Sequence, residues 1–309
     1  MRIAVMGAGA VGAYFGAKLA AAGHEVGFVA RGKHLEAMQR DGLIIKSING
    51  DHRIRSFFTA DPAAFGAADL ILFCVKTYDT EVAGKQLAPL IGKDTAILTL
   101  QNGVDGPQRL AELWGSHRTW AGVVFIAARV ERPGVIEHTA AGKIVFGELD
   151  GTVGQTTRRL HEALSQANIP CEISPEITSV MWQKLVWNAP FCALCCLLQA
   201  PVQAILDSAS LTALAVRCME EVSEAAACAG IRLDPSIAAQ TLRFSQGLGG
   251  FKPSMLQDLE NGKPLEYQAL NGIVRDVLDR HGRRAPVNET LYTLLKFLGE
   301  RNRQHASSS

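Results

Sequence analysis

At 309 residues, with 48% apolar and 20% charged side chains, the chain has the profile of a folded globular protein and room for two ordinary domains. A net charge of +1 excludes the global basic field that binding to nucleic acid or an anionic membrane surface would call for. Seven cysteines, an odd number in a long chain, do not form a disulfide framework.

The first predicted element is the strand IAVM, which runs into Gly7-x-Gly9-x-x-Gly12 and then an alanine-rich helix closed by Gly23. A second strand, VGFVA, ends at Arg31. The N-terminus is apolar enough for a signal peptide, but its spaced glycines and the second strand fit a folded domain. Within this strand–turn–helix–strand unit Gly7 permits the tight turn and Gly9 lets a pyrophosphate approach the backbone. Gly12 allows close helix–strand packing. With Ala10 and Val11 between them, these residues form the N-terminus of a helix, whose unpaired N–H groups suit phosphate. The pattern predicts a dinucleotide site.

Arg31 selects the dinucleotide. A site for NAD ends the second strand in an acid that bonds the ribose 2′-hydroxyl, as methyltransferase and flavin sites also favour. A guanidinium instead grips a 2′-phosphate. Lys33 and His34 are expected to add positive charge, so the cofactor is read as NADPH.

Further along, GLIIKSINGDHRIRSFF reads as a hairpin with an Asn-Gly-Asp turn. LILFCV, AILTLQ and VVFIAARV read as strands of a parallel sheet with helices on both faces, and EHTAAGKIVFGELDG as further strands. QTTRRLHEALSQAN is a predicted helix and IPCEIS a strand. Beyond Ser174 only long helical patterns follow, beginning with ITSVMWQKLVWNAPFCALCCLL.

The fold class is therefore α/β, an N-terminal Rossmann-type dinucleotide-binding domain followed by an all-helical C-terminal domain. The predicted boundaries are 1–174 for NADP binding, 175–303 for substrate and catalysis, and 304–309 as a disordered tail. Asn188, Pro190, Gln199, Pro201 and Gln203 make the most apolar stretch costly in lipid, which predicts a buried helix and a cytoplasmic protein. Cys192 and Cys195 form a CxxC beside Cys196, but without a second ligand pair they read as small apolar residues of that helix. The apolar helices after Lys184 allow a homodimer.

Lys184 and Asn188 are four residues apart and share a helix face among Trp182, Leu185 and Val186. A lysine there either has a task or a partner, or extends its ammonium to water. Reduction of a ketone needs an acid for the developing alkoxide and positive charge for a substrate carboxylate.

In the order and spacing of GAGAVGAYFGAKLAAAGHEVGFVAR, CVKTYD, LQNGVD, QKLVWN and PSMLQDLENGKPLE, the chain resembles the ketopantoate reductase (2-dehydropantoate 2-reductase) family from the first strand to about residue 300. The resemblance implies a two-domain NADP-dependent oxidoreductase that reduces 2-dehydropantoate to pantoate in pantothenate biosynthesis, with its active site in an interdomain cleft. It implies that Lys184 is the general acid, supported by Glu266, and that Ser254 and Asn188 bind substrate. Lys76 and Asn102 match residues lining the cofactor and catalytic cleft. From the residues alone, Ser254 could equally cap the helix MLQDLENG, and Glu266 could pair with Lys263.

The chain departs from the family pattern at three points. One turn beyond Asn188, where a second asparagine is usual, stands Cys192, which then lines the substrate pocket. Val202 and Phe251 occupy positions where some members carry asparagine. These departures leave open a related reductase for a less polar 2-oxoacid. A non-catalytic NADP sensor is disfavoured, since it has no need of Lys184 with Glu266.

Overall fold

The computed structural model describes residues 1–307, with side chains through residue 302. The chain forms two units, Met1–Gln101 with Gly106–Ile177, and Asn102–Asp105 with the chain from Thr178 onward. The change-over lies in the first turn of a long helix, and one tetrapeptide of the N-terminal half belongs with the second unit.

The first unit runs β1 (Arg2–Met6), α1 (Ala10–Ala21), β2 (Glu25–Val29), α2 (Gly32–Asp41), β3 (Leu43–Ser47), β4 (His52–Ile54), β5 (Phe57–Thr59), β6 (Ala68–Phe73), α3 (Thr80–Lys85), β7 (Ile91–Thr99), α4 (Gly106–Trp114), β8 (Thr119–Arg132), β9 (Val135–Glu148), α5 (Gln155–Gln166) and β10 (Cys171–Ile173). Its ten-stranded sheet has the order β4-β3-β9-β8-β7-β6-β1-β2-β5, with β10 paired to β9.

Strand alternation covers both faces. Ile3 and Val5 pack with Phe15 and Leu19 of α1 and Leu160 of α5. Ala4 and Met6 face the other way, with Ala83 of α3 and Leu110 of α4. Both sets of β1 side chains are therefore buried, which is why the strand reads as an unbroken apolar run.

The sheet is mixed rather than parallel. β7, β6, β1, β2 and β5 are parallel neighbours, but β8 and β9 pair antiparallel along most of their length. Only Pro133 and Gly134 separate them, whereas a parallel pair needs a crossover of about a dozen residues. β3 and β4 form the antiparallel hairpin around the Asn-Gly turn.

The second unit is helical throughout its described residues: α6 (Ile177–Leu198), α7 (Val202–Leu206), α8 (Ala209–Cys228), α9 (Ile237–Gln246), α10 (Ser254–Glu260), a π turn (Gln268–Gly272), α11 (Ile273–Arg280) and α12 (Pro286–Ser307). α6 is apolar all round and lies at the centre, with Val186, Phe191, Cys192, Cys195 and Cys196 in one core with Met219 and Val222 of α8 and Leu295 of α12. Among the described residues no helix is long and apolar enough to cross a membrane.

Two backbone N–H groups at the start of α12 are satisfied from outside, since Glu221 of α8 accepts from Val287 and Asn288, each at 2.8 Å. A carboxylate suits the positive end of a helix. α12 carries the backbone of residues 304–307 in helix, where a disordered tail is expected from sequence, because its hydrogen-bond ladder continues past Arg303. Residues 308 and 309 lie outside the described residues.

Candidate active site

The glycine turn follows β1. Gly7 has φ +97°, and a Cβ there would lie 2.7 Å from the Val75 nitrogen. A Cβ on Gly12 would lie 2.4 Å from the Gly7 carbonyl oxygen, so α1 seats against the turn only because both are glycines. Gly9 is the N-cap of α1, no side chain caps it, and its Cβ position meets nothing within 4 Å. The first N–H groups of the helix, at Gly9, Ala10 and Val11, therefore have no carbonyl of a preceding turn to bond, and the space at the Gly9 Cβ position is open. This cradle fits the diphosphate of a dinucleotide.

His34 of α2 fastens the turn. Its Nδ1 accepts from the Gly134 N–H at 3.0 Å. The ring proton is thereby left on Nε2, which donates to the Ala8 carbonyl at 2.9 Å. In this arrangement the imidazole is neutral, so His34 braces the turn rather than adding the positive charge expected from sequence. Lys33 is exposed.

Arg31 directly precedes α2, with 83% of its side chain exposed, and its guanidinium pairs with Asp79 Oδ2. Lys76 lies just beyond β6, partly buried, and its carbonyl accepts from the Asp79 N–H at 2.9 Å. Gln101 braces the same loop, donating to the Val75 carbonyl at 3.0 Å and to Thr80 Oγ1 at 2.8 Å. Arg31, Lys76 and the glycine turn are thus mounted at the ends of β1, β2 and β6, the edge at which α/β sheets bind ligands.

In the second unit Lys184 Nζ donates to Asn102 Oδ1 at 3.0 Å. Burial draws the Lys184 ammonium down to about 8, against the opposing influence of Cys192 and Glu266. Glu266 is 6% exposed, which places its carboxylate in the interior beside the lysine rather than on the surface with Lys263. Burial pushes the Cys192 thiol well above its ordinary value, so it stays protonated near Lys184 and Glu266.

Asn188 is 5% exposed, and its amide has no hydrogen-bond partner among the described residues. Ser254 is exposed at the first position of α10, where Pro253 is the N-cap and the serine hydroxyl caps nothing. Val202 and Phe251 are joined through their backbones, Val202 N to Phe251 O at 3.1 Å. The Phe251 ring lies 6.1 Å from Trp187, which in turn stacks 5.2 Å from Phe191.

Sequence reasoning passes over Gln101 and the bracing role of His34. Gln101 sits next to Asn102 in a quoted motif, so its position is a signal; the partners of His34 lie 26 and 100 residues away and leave none.

A glycine turn opening onto a helix N-terminus and a half-buried lysine of lowered pKa on a helical unit are the features of an oxidoreductase of dinucleotide-binding fold. Residues 3–151 match the family described as Ketopantoate reductase PanE/ApbA, and residues 176–299 match its C-terminal region. The chain belongs to the ketopantoate reductase family. It is 31% identical to a 2-dehydropantoate 2-reductase of Mesorhizobium japonicum, over 96% of this chain and 98% of that one. The crystal structure of 2-dehydropantoate 2-reductase from Geobacter metallireducens aligns with TM-score 0.91 at 36% identity, over 96% of this chain and 99% of that chain. A PanE/ApbA family ketopantoate reductase from Ralstonia eutropha aligns with TM-score 0.92 at 32% identity, covering 98% and 100%.

Proposed function

We propose that the protein reduces 2-dehydropantoate to pantoate with NADPH. The observation that carries the reading is Lys184, half-buried on α6, bonded to Asn102 and under the influence of Glu266, with its ammonium lowered to about 8. An acid of that strength is still charged at neutral pH and gives up its proton readily as an alkoxide develops. Bound NADPH supplies hydride to the keto carbon. Lys184 delivers the proton to the keto oxygen and recovers it from solvent through its partly open surface. Asn188, whose amide makes no hydrogen bond among the described residues, and Ser254, with an unused hydroxyl, bind the substrate. Arg31, Lys76 and the backbone of Gly7, Gly9, Ala10, Val11 and Gly12 hold the cofactor.

A second reading, a less polar 2-oxoacid, is supported by Cys192 and by the apolar group Val202, Phe251 and Trp187 where amides would recognise a hydroxyl. NADPH oxidation measured against a panel of 2-oxoacids separates the two. No turnover with any of them would favour a sensor and sink both. The proposal extends to a cytoplasmic homodimer, supported by free thiols packed in the core and by exposed Leu198 and Leu294 beside a groove lined by Leu197 and Leu214.

A further inference from the structure

Asn271 is wholly buried in the π turn that begins two residues after Glu266. Its amide donates twice, to the Ala189 carbonyl of α6 at 3.1 Å and to Asn288 Oδ1 at 3.0 Å. Asn288 in turn donates to Glu221 Oε2 at 2.8 Å and to the Cys218 carbonyl at 3.2 Å. A carboxylate can only accept, so Glu221 fixes the orientation of the Asn288 amide, and Asn288 fixes that of Asn271. The donor end of Asn271 is thereby committed to α6.

The point it grips is distinctive. Ala189 follows Asn188, lies between Lys184 and Cys192, and precedes Pro190, which sits inside the helix. Proline supplies no N–H to the preceding turn and crowds it, so the ladder is weakest there. The segment that carries Glu266 thus grasps the helix that carries Lys184 within the turn where Pro190 leaves the Val186 carbonyl without its usual donor. Asn271 Oδ1, meanwhile, has no hydrogen-bond partner among the described residues. A buried carbonyl left unpaired is costly, and an apolar side chain of the same shape would avoid that cost. Stability alone is a poor account of an amide here. π turns also recur at functional sites.

We propose that Asn271 is a positioning residue for the reduction. Through the Ala189 carbonyl it holds the Lys184–Asn188 face of α6 in register with Glu266, without touching substrate or cofactor. The inference rests on the reading of Lys184 as the acid.

The test compares the NADPH-bound parent with Asn271→Leu, which keeps the branching of Asn at Cγ but carries no polar atom, and Asn271→Asp, which presents an acceptor to the Ala189 carbonyl. With Asn271→Leu the urea midpoint should equal or exceed that of the parent, and NADPH affinity should stay within about twofold, while kcat falls at least about tenfold. The alkaline limb of kcat should move up by roughly half a pH unit or more, because a Lys184 face released from the grip on Ala189, still bonded to Asn102, gains solvent and loses part of the burial that outweighs Glu266 and Cys192. Titration of the Lys184 amine by NMR reads the same shift without turnover. A parent inactive on every 2-oxoacid would overturn the proposed function, yet the titration would still decide the role of Asn271. The proposal falls if folded Asn271→Leu keeps parental kcat and titration. It falls equally if the variants lose stability but keep turnover per folded molecule, or if neither folds.

Discussion

Lys184 Nζ and Asn102 Oδ1 are 3.0 Å apart, joining the middle of α6 to the tetrapeptide that follows β7 and Gln101. The lysine is an acid only while protonated, and burial lowers its value to about 8. Reduction should therefore proceed at full rate below that pH and fall as pH rises through it. Glu266→Gln removes a charge that favours the ammonium, so the limb should move to lower pH. Lys184→Ala should lower turnover by about 10²–10⁴ with NADPH affinity nearly unchanged. A pH-independent kcat from pH 6 to about 10 would remove Lys184 from the mechanism.

Arg31 carries an exposed guanidinium held by Asp79. Arg31→Asp should cost about 1.5–3 kcal/mol of NADPH binding, tenfold or more, with NADH binding unchanged or improved. Asp79→Asn frees the guanidinium from a competing carboxylate and should tighten NADPH binding by up to about fivefold. Calorimetric titration of both variants with both cofactors checks the pair; equal NADPH affinity in parent and Arg31→Asp would refute the assignment.

His34 bears on the glycine turn proposed for the diphosphate, through the Ala8 carbonyl. His34→Ala should weaken NADPH and NADH by the same factor, about fivefold, the scale of one hydrogen bond. His34→Gln keeps a donor for Ala8 and should recover part of the loss. A variant that discriminates between the two cofactors would assign His34 to the 2′-phosphate instead.

Cys192 offers a neutral thiol where an amide could make two good bonds. A pocket that cannot bond a substrate hydroxyl also loses little when that hydroxyl is missing. The ratio of kcat/KM between ketopantoate and its deoxy analogue should therefore stay below about a hundredfold, and Cys192→Asn should raise it. A parental ratio of about a thousandfold or more would show that recognition lies elsewhere.

Local pattern made the glycine turn, the strands and the Asn-Gly hairpin legible, because each is written in consecutive residues. The antiparallel β8–β9 pair was hidden, since the strands look alike in either direction and only the two-residue link at Pro133 and Gly134 decides. Lys184 stood out as a charge in an apolar helix, but Asn102 lies 82 residues away and its pairing left no local trace. The same holds for Arg31 with Asp79, 48 residues apart, and for the grip of Asn271 on Ala189, again 82 apart. Chemistry-bearing residue types can be picked from spacing; their partners arise from topology.

The outermost strands of the sheet, β4 and β5, are only three residues long. An edge strand with a long row of free N–H and C=O groups is a template on which another chain can add and sheets can grow. Here each flank offers barely one repeat of that template, and on β4 it is occupied by the exposed side chains of His52 and Arg53. These two flanks therefore resist edge-to-edge pairing, and insertions that lengthen either β4 or β5 should lower solubility.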